Sequence, residues 1–539
     1  MVKRPSRHCE ELSDEAIHNR KVSIMRESGI LMPIFSLPSP YGVGCFSVEA
    51  YKFVDQLKHA GQKKWQVLPL GPTSFGDSPY QSFSTFAGNP YFIDLGPLID
   101  EGLITKEECD ALDFGDKEDR IDYEKIHQAR HQILALAFSR FEKNESFNHF
   151  VLENAWWLED YALFMAIKST YKGASWDVWD SAHKNREEAA MAKAKEELKE
   201  QIESVQFQQY LFAKQWHNLH HYAKENGIEI IGDIPIYVAF DSADTWANPE
   251  LFQFDENKEP IAVAGCPPDY FSEAGQLWGN PLYDWEYHKE TGYQWWFKRI
   301  AYTFTLFDLV RIDHFRGFDE YYAIPAGRKD AKIGSWRPGP GIEFFQALKK
   351  EFGELRIIAE DLGLITDSVK ELLKESGYPG MKVLQFAFDG TADNDYLPHN
   401  YSNNCVVYTG THDNDTTKGW YSPLEQETRQ HVREYLGIEN RASKNVGCEN
   451  LGCEDLGCEN VGSENFEESS ISLELIRLGL SSVADLCIIP IQDYLGVGTE
   501  GRINTPSTLG DNWTWRMKKL LEPELVEEMK RLASLYGRV

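Results

Sequence analysis

No run of 18 apolar residues occurs anywhere in the 539-residue chain, so no membrane-spanning helix is expected. The opening segment MVKRPSRHCEELSDEAIHNR has basic residues but no apolar stretch behind them. That excludes a secretory signal, and its acids are wrong for a transit peptide. Bases are in deficit: 55 Lys and Arg face 85 Asp and Glu, for a formal net charge of −30. Such a surface repels phosphate backbones and anionic lipid, so neither nucleic acid nor membrane is an expected partner. A neutral substrate such as a sugar is compatible with it. The nine cysteines are an odd number and include no CxxC pair. They read as reduced thiols in a cytoplasm, not as a disulfide framework or a zinc site.

Eight short apolar runs rich in β-branched residues recur along the chain, each ending in a polar cluster. They span residues 30–38, 63–71, 228–238, 307–315, 356–363, 381–390, 405–415 and 485–496. Continuous apolar runs suit strands buried on both faces, as in a parallel sheet. Helical patterns lie between them, such as EAYKFVDQLKHAG, GIEFFQALKKEFG and TDSVKELLKESG. Eight strand–helix alternations predict an α/β fold, a (β/α)8 barrel with inserted helical subdomains, over residues 1–539 as one catalytic body. The second and third strands are far apart. The charged stretch 104–226 between them reads as an inserted helical subdomain, with EEAAMAKAKEELKEQIESV as its clearest helix. Residues 446–465 are four near-copies of one pentapeptide, VGCEN LGCED LGCEN VGSEN, with five acids and no base. Cysteines five apart do not match metal-site spacing, so 444–468 reads as an acidic, solvated loop in which disorder is plausible.

A barrel places its active site at the C-terminal ends of its strands. Three of those ends offer carboxylates here. Arg311 and Asp313 in VRIDHF are two apart and share one strand face. An adjacent arginine is expected to keep Asp313 ionised, as a nucleophile or electrostatic stabiliser requires. Glu360 and Asp361 are adjacent, so only one of them can enter the mouth. A glutamate against the apolar run RIIA could be kept protonated as a general acid. Asp413 lies in THDND, whose polar side chains are costly to bury without partners. Each signal has a bland alternative: an Arg–Asp pair, a helix cap with a salt bridge, a turn. Jointly they suit glycoside chemistry, which needs one carboxylate at the anomeric carbon and one at the leaving oxygen.

The segments SPYQSFSTFAGNPYFIDL, GDIPIYVAFDSADTWANPELF, CPPDYFSEAGQLWGNPLYDW, VRIDHFRGF, IIAEDLG and YTGTHDNDT resemble those of the amylomaltases. These are 4-α-glucanotransferases, or disproportionating enzymes, of glycoside hydrolase family 77. The resemblance runs from about residue 25 to about 516 and is broken only by the pentapeptide repeat. It implies Asp313 as nucleophile, Glu360 as acid/base and Asp413 as third carboxylate. It further implies retaining transfer of an α-1,4-glucan segment to another glucan or glucose through a covalent glucosyl-enzyme. Maltooligosaccharides, amylose or glycogen-derived glucans would be the substrates, with no cofactor and no metal.

The same resemblance assigns sugar contacts to Ser78, Tyr80, Gln276, Trp278, Arg311, His314, Asp389, His412 and Asn504. It makes 239–300 a lid-forming insertion in which Gln276 and Trp278 exclude water. Water exclusion is the physical difference between transferase and hydrolase. Two departures stand out. Ser507 replaces the glycine of the usual NTPG, and Phe75 stands where some members carry a tyrosine of a secondary glucan site. The rival readings are an α-amylase-type retaining hydrolase, a barrel that binds carbohydrate without catalysis, and a metal-dependent barrel lyase.

Overall fold

The computed structural model describes residues 26–74, 76–268, 273–363, 365–438 and 463–539, with side chains in the last stretch from 471. Phe75, three of the expected lid residues (Asp269, Tyr270 and Phe271) and the repeat loop up to residue 462 lie outside the described residues.

All eight expected runs overlap a strand, the first only at Ile30 and Leu31. The strands are β1 (Glu27–Leu31), β2 (Lys64–Gln66), β3 (Glu229–Pro235), β4 (Leu309–Asp313), β5 (Ile357–Ala359), β6 (Gly380–Val383), β7 (Cys405–Tyr408) and β8 (Leu486–Pro490). Neighbours pair in parallel in the order β6-β7-β8-β1-β2-β3-β4-β5. The two ends of that order meet. The Ala359 amide donates to the Pro379 carbonyl at 2.9 Å, and the Met381 amide donates to the Asp361 carboxylate at 2.6 Å. Gly380 is needed at this seam, because a Cβ there would lie 2.5 Å from Asp361 Oδ2. The result is a (β/α)8 barrel whose strands bury Ile30, Ile231, Val310, Ile358, Val407 and Ile488, as expected where both faces of a strand are covered.

The floor and the mouth of the barrel differ in chemistry. At the strand starts, Lys64 is buried and pairs with Glu27 of β1 and, at 2.6 Å, with Glu229 of β3. Arg356, just before β5, grips Glu229 with bonds of 2.6 and 2.9 Å. Burial opposes ionisation of Glu229, but Arg356 and Lys64 outweigh it and hold the carboxyl down at about 2. At the mouth, the β3–β4 register sets Asp233 beside Arg311 and Pro235 beside Asp313. Asp233, Arg311 and Asp313 therefore share one side of the sheet.

Between β2 and β3 the chain is helical, with long helices at Tyr123–Arg140, Ala155–Thr170 and Lys199–Glu225. The stretch read as one helix over 187–205 is two, Glu188–Glu197 and Lys199–Glu225, broken at Leu198 (φ −106°, ψ 20°). Trp157, Trp176, Trp179 and Trp246 join Phe86 and Phe164 in a separate aromatic core that ties these helices to the chain after β3. A second, antiparallel sheet was not foreseen. It is built in the order Gln276–Pro281, Ala262–Cys266, Glu320–Pro325, Ser335–Pro338. Its strands are short, and each carries a glycine or a proline, residues that read as loop.

The floor contributes stability without touching the mouth. Replacement Lys64→Ala leaves two glutamates facing each other, and is expected to lower the unfolding free energy in urea at pH 7 by about 3 kcal/mol. Turnover per folded molecule should stay at the wild-type value. Because Glu229 is depressed on folding, its contribution is full above pH 4.5 and fades as pH falls towards 2.

Candidate active site

Arg311 projects from β4 into the lumen and is 3% exposed. One guanidinium nitrogen donates to both oxygens of Asp233 at 2.7 Å. The other donates to Asp313 Oδ1 at 2.8 Å, and Nε lies 3.4 Å from Met381 Sδ on β6. The Tyr80 hydroxyl, from the loop after β2, donates to Asp233 Oδ2 at 2.8 Å. One cation thus serves two carboxylates. Arg311 is therefore divided between Asp233 and Asp313. Arg311 pulls Asp313 down, but burial first, then Asp233 and Asp413, push it up, and the net direction is up.

Glu360 follows β5 directly. Its Oε2 accepts the His314 amide at 2.7 Å and its Oε1 the Leu362 amide at 2.8 Å. The His314 amide reaches it because the chain turns sharply after β4, with His314 left-handed at φ 52°, ψ 50°. A left-handed non-glycine residue costs on the order of 1–2 kcal/mol and is kept where surrounding structure enforces it. Burial, then the Asp313 charge, raises the Glu360 carboxyl to about 8, against Arg311 and the two amides. Asp361 faces away, towards the β5–β6 seam described above. Of the adjacent acids, only Glu360 is placed with Asp313.

Asp413 lies in the loop after β7. Asn504 Nδ2 donates to its Oδ1 at 2.6 Å, and His412 Nε2 lies 3.4 Å from its Oδ2. Arg502 donates to its backbone carbonyl at 3.0 Å. The Tyr80 ring stacks on His412 at 5.2 Å and 16°, with Trp513 beside both. The Asp313 and Asp413 side chains remain 30% and 43% exposed, so both look out into the mouth.

Other expected contact residues fall in different places. Trp278 packs edge-on against His314 at 4.8 Å, and its indole donates to Gln276 Oε1 at 3.1 Å. Both stand on the strand Gln276–Pro281 of the antiparallel sheet. Burial, then Arg316, lowers the His314 ring to about 3, so it is neutral, and its buried Nε2 has no hydrogen-bond partner among the described residues. Ser78 Oγ accepts the Tyr80 amide at 3.3 Å and so supports Tyr80. Asp389 does not join the cluster. It is exposed, and its Oδ1 takes the amide and hydroxyl of Thr391 at 2.9 and 2.8 Å. Ser507, where glycine is usual, keeps a glycine-like φ of 63°. The residue that sequence reasoning passed over is Asp233. Its only signal was an acid in the middle of the apolar run IEIIGDIPIYV, four residues after Glu229.

A barrel mouth with one elevated acid, one partly open aspartate on a shared arginine and a third carboxylate is an acid/base and nucleophile arrangement of the glycoside-processing kind. Comparison with known proteins agrees. Residues 32–522 match the profile of the 4-alpha-glucanotransferase family, glycoside hydrolase family 77, and the chain belongs to that family. It is 46% identical to a 4-alpha-glucanotransferase of Clostridium butyricum, over 94% of this chain and all of that one. It is 45% identical to that of Thermus thermophilus, over 96% of this chain and all of that one. Among solved structures, amylomaltase from Streptococcus agalactiae in complex with acarbose superposes with a TM-score of 0.87 at 41% identity, covering 95% of this chain and 99% of that one.

The charge sharing at Arg311 makes a signed prediction. Replacement Asp233→Asn removes a charge that raises Asp313 and releases more of Arg311 to it. The acidic limb of kcat/KM against pH should move to lower pH. An unmoved limb, or one moved upward, would contradict the account.

Proposed function

We propose that this chain is a 4-α-glucanotransferase that moves a segment of an α-1,4-glucan onto a new 4-hydroxyl by retaining double displacement. One observation carries the reading: Asp313, bonded to Arg311, and Glu360, bonded to the His314 amide next in the chain, stand together at the mouth, with the Glu360 carboxyl raised to about 8 by burial and the Asp313 charge. Asp313 attacks the anomeric carbon. The Glu360 proton passes to the glycosidic oxygen as that bond breaks, and the reducing-end fragment leaves. The 4-hydroxyl of an acceptor then attacks the same carbon. Its proton goes to Glu360, and the ester to Asp313 breaks with the α configuration restored.

In this reading Asp413, held by Asn504 and flanked by His412, binds sugar hydroxyls and favours ring distortion. Arg311, His412 and the unpartnered Nε2 of His314 surround the reacting ring, with Tyr80 stacked beside it. Ser78 acts by supporting Tyr80. Asp389 lies apart from the cluster, and we assign it to a more distant sugar unit. Gln276 and Trp278 form part of a cover over the cleft. By excluding water they direct the glucosyl-enzyme to a sugar acceptor. Substrates are maltooligosaccharides, amylose or glycogen-derived glucans. We assign the cytoplasm as compartment; the described cysteines, Cys45, Cys109, Cys266, Cys405 and Cys487, are all free thiols.

Incubation with maltotriose separates transfer from hydrolysis. The expected products are glucose together with oligosaccharides longer than maltotriose. Shorter sugars alone would identify a hydrolase. Asp313→Asn and Glu360→Gln should each lower turnover by on the order of 10³-fold or more.

The pH profile tests Glu360 by itself. It must be protonated to release an oligosaccharide, so kcat/KM for maltotriose should fall above about pH 8. A glycosyl fluoride donor needs no proton on its leaving group, and with it the alkaline limb should disappear. A limb unchanged by the fluoride would assign that ionisation elsewhere.

A further inference from the structure

The loop that carries Asp413 runs from Thr409 to Thr417, and one buried carboxylate holds both of its ends. Asp493 stands in the short helix Ile491–Leu495 that follows β8. It is 3% exposed, and Thr409 and Thr417 are fully buried. The Thr409 hydroxyl donates to Asp493 Oδ2. The Thr417 hydroxyl donates to the same oxygen at 2.7 Å, and the Thr417 amide donates to Oδ1 at 2.8 Å. Between these ends the loop presents His412 and Asp413 to the mouth.

We propose that Asp493 is a positioning residue for the transfer reaction, fixing the Asp413 carboxylate by clasping both necks of its loop. The inference rests on the reading of Asp413 as the third carboxylate of the site.

Three neutral donors converge on the two oxygens of Asp493. An ionised carboxylate offers enough acceptor sites for all three, whereas an asparagine has one acceptor oxygen. Hydrogen bonds to an ionised acceptor are shorter and about twice as strong as neutral ones. That strength works against the cost of burying the charge, which still leaves the carboxyl raised from its ordinary value. Thr409 directly follows β7, and Thr417 opens the helix Thr417–Tyr421. The clasp therefore fixes the loop to the barrel on one side and to a helix on the other. Other attachments act on the loop interior, beginning with the Asn504 and Arg502 bonds to Asp413 and the Tyr80 ring on His412. Gln385 Nε2 donates to the Asp415 carbonyl at 2.9 Å, and Thr499 Oγ1 to Asp415 Oδ2 at 2.9 Å. The Asn504 amide donates to the His412 carbonyl at 3.2 Å. With the necks released, the loop can shift within what these interior contacts allow. A displacement near 1 Å at a reacting group can cost about 10²-fold in rate.

The test is a double-mutant cycle on maltotriose disproportionation. Asp493→Asn should lower kcat by about 10- to 100-fold while KM changes by less than about threefold. In an Asp413→Asn background the same replacement should lower kcat by less than about twofold, since its effect runs through Asp413. Thr417→Val, which removes one donor and keeps the shape, should reproduce the direction with a smaller loss, and serves if Asp493→Asn does not fold. Losses that multiply in the double mutant would overturn the proposal, as would a fall in Tm with kcat per folded molecule unchanged. If Asp413→Asn alone kept wild-type turnover, the reading of Asp413 would fail first, and this inference with it.

Discussion

A guanidinium buried in the lumen of a barrel must be paired, and the mouth is organised by how Arg311 is paired. Its two carboxylates come from adjacent strands, Asp233 on β3 and Asp313 on β4. Leaving such a charge uncompensated costs about 3–5 kcal/mol, so the register of these strands and the place of Asp313 are fixed together. Tyr80 attaches to the same pair through Asp233 and carries the loop after β2 to His412. One cation between two anions also leaves negative charge in excess. That excess, with burial, raises Asp313 and contributes to raising Glu360 further. Both carboxylates are raised from their ordinary values, by burial first and by neighbouring negative charge second.

The two ends of the barrel divide the work. At the floor, Lys64 and Arg356 face Glu27 and Glu229, so cations and anions are matched and strand starts are stapled. At the mouth they are mismatched, and loops of several strands converge on the imbalance. This follows the general rule that (β/α)8 barrels keep stability at the N-terminal face and chemistry at the C-terminal face. The chain fits that rule residue by residue, with Glu229 held low at one end of β3 and Asp233 recruited to the site near the other.

The barrel was legible because strands covered on both faces read as unbroken apolar runs, and all eight of them overlap a strand. The antiparallel sheet was not, because strands such as QLWGNP carry the breakers that mark loops. Nor was the break at Leu198, since nothing in a run of Ala, Lys and Glu signals a turn between two good helices. In the site, Asp313, Glu360 and Asp413 were visible as acids at strand ends. The pairing of Arg311 was only half visible, because Asp313 is two residues away in sequence and Asp233 is 78. The protonation of Glu360 depends on charges from several strands and could be foreseen only as a possibility. Asp389 is a motif residue that lies apart from the cluster, with its Oδ1 taken up by its own turn.

The central claim is that Asp313 becomes covalently attached to sugar while Glu360 handles the protons. The Glu360→Gln enzyme treated with an α-glycosyl fluoride can take up sugar, since that leaving group needs no acid, but lacks the base that activates an acceptor. Intact-mass spectrometry followed by peptide mapping should find one glycosyl group, on the peptide containing Asp313. A label on Asp413 or Asp233, or no label while donor is still consumed, would contradict the account.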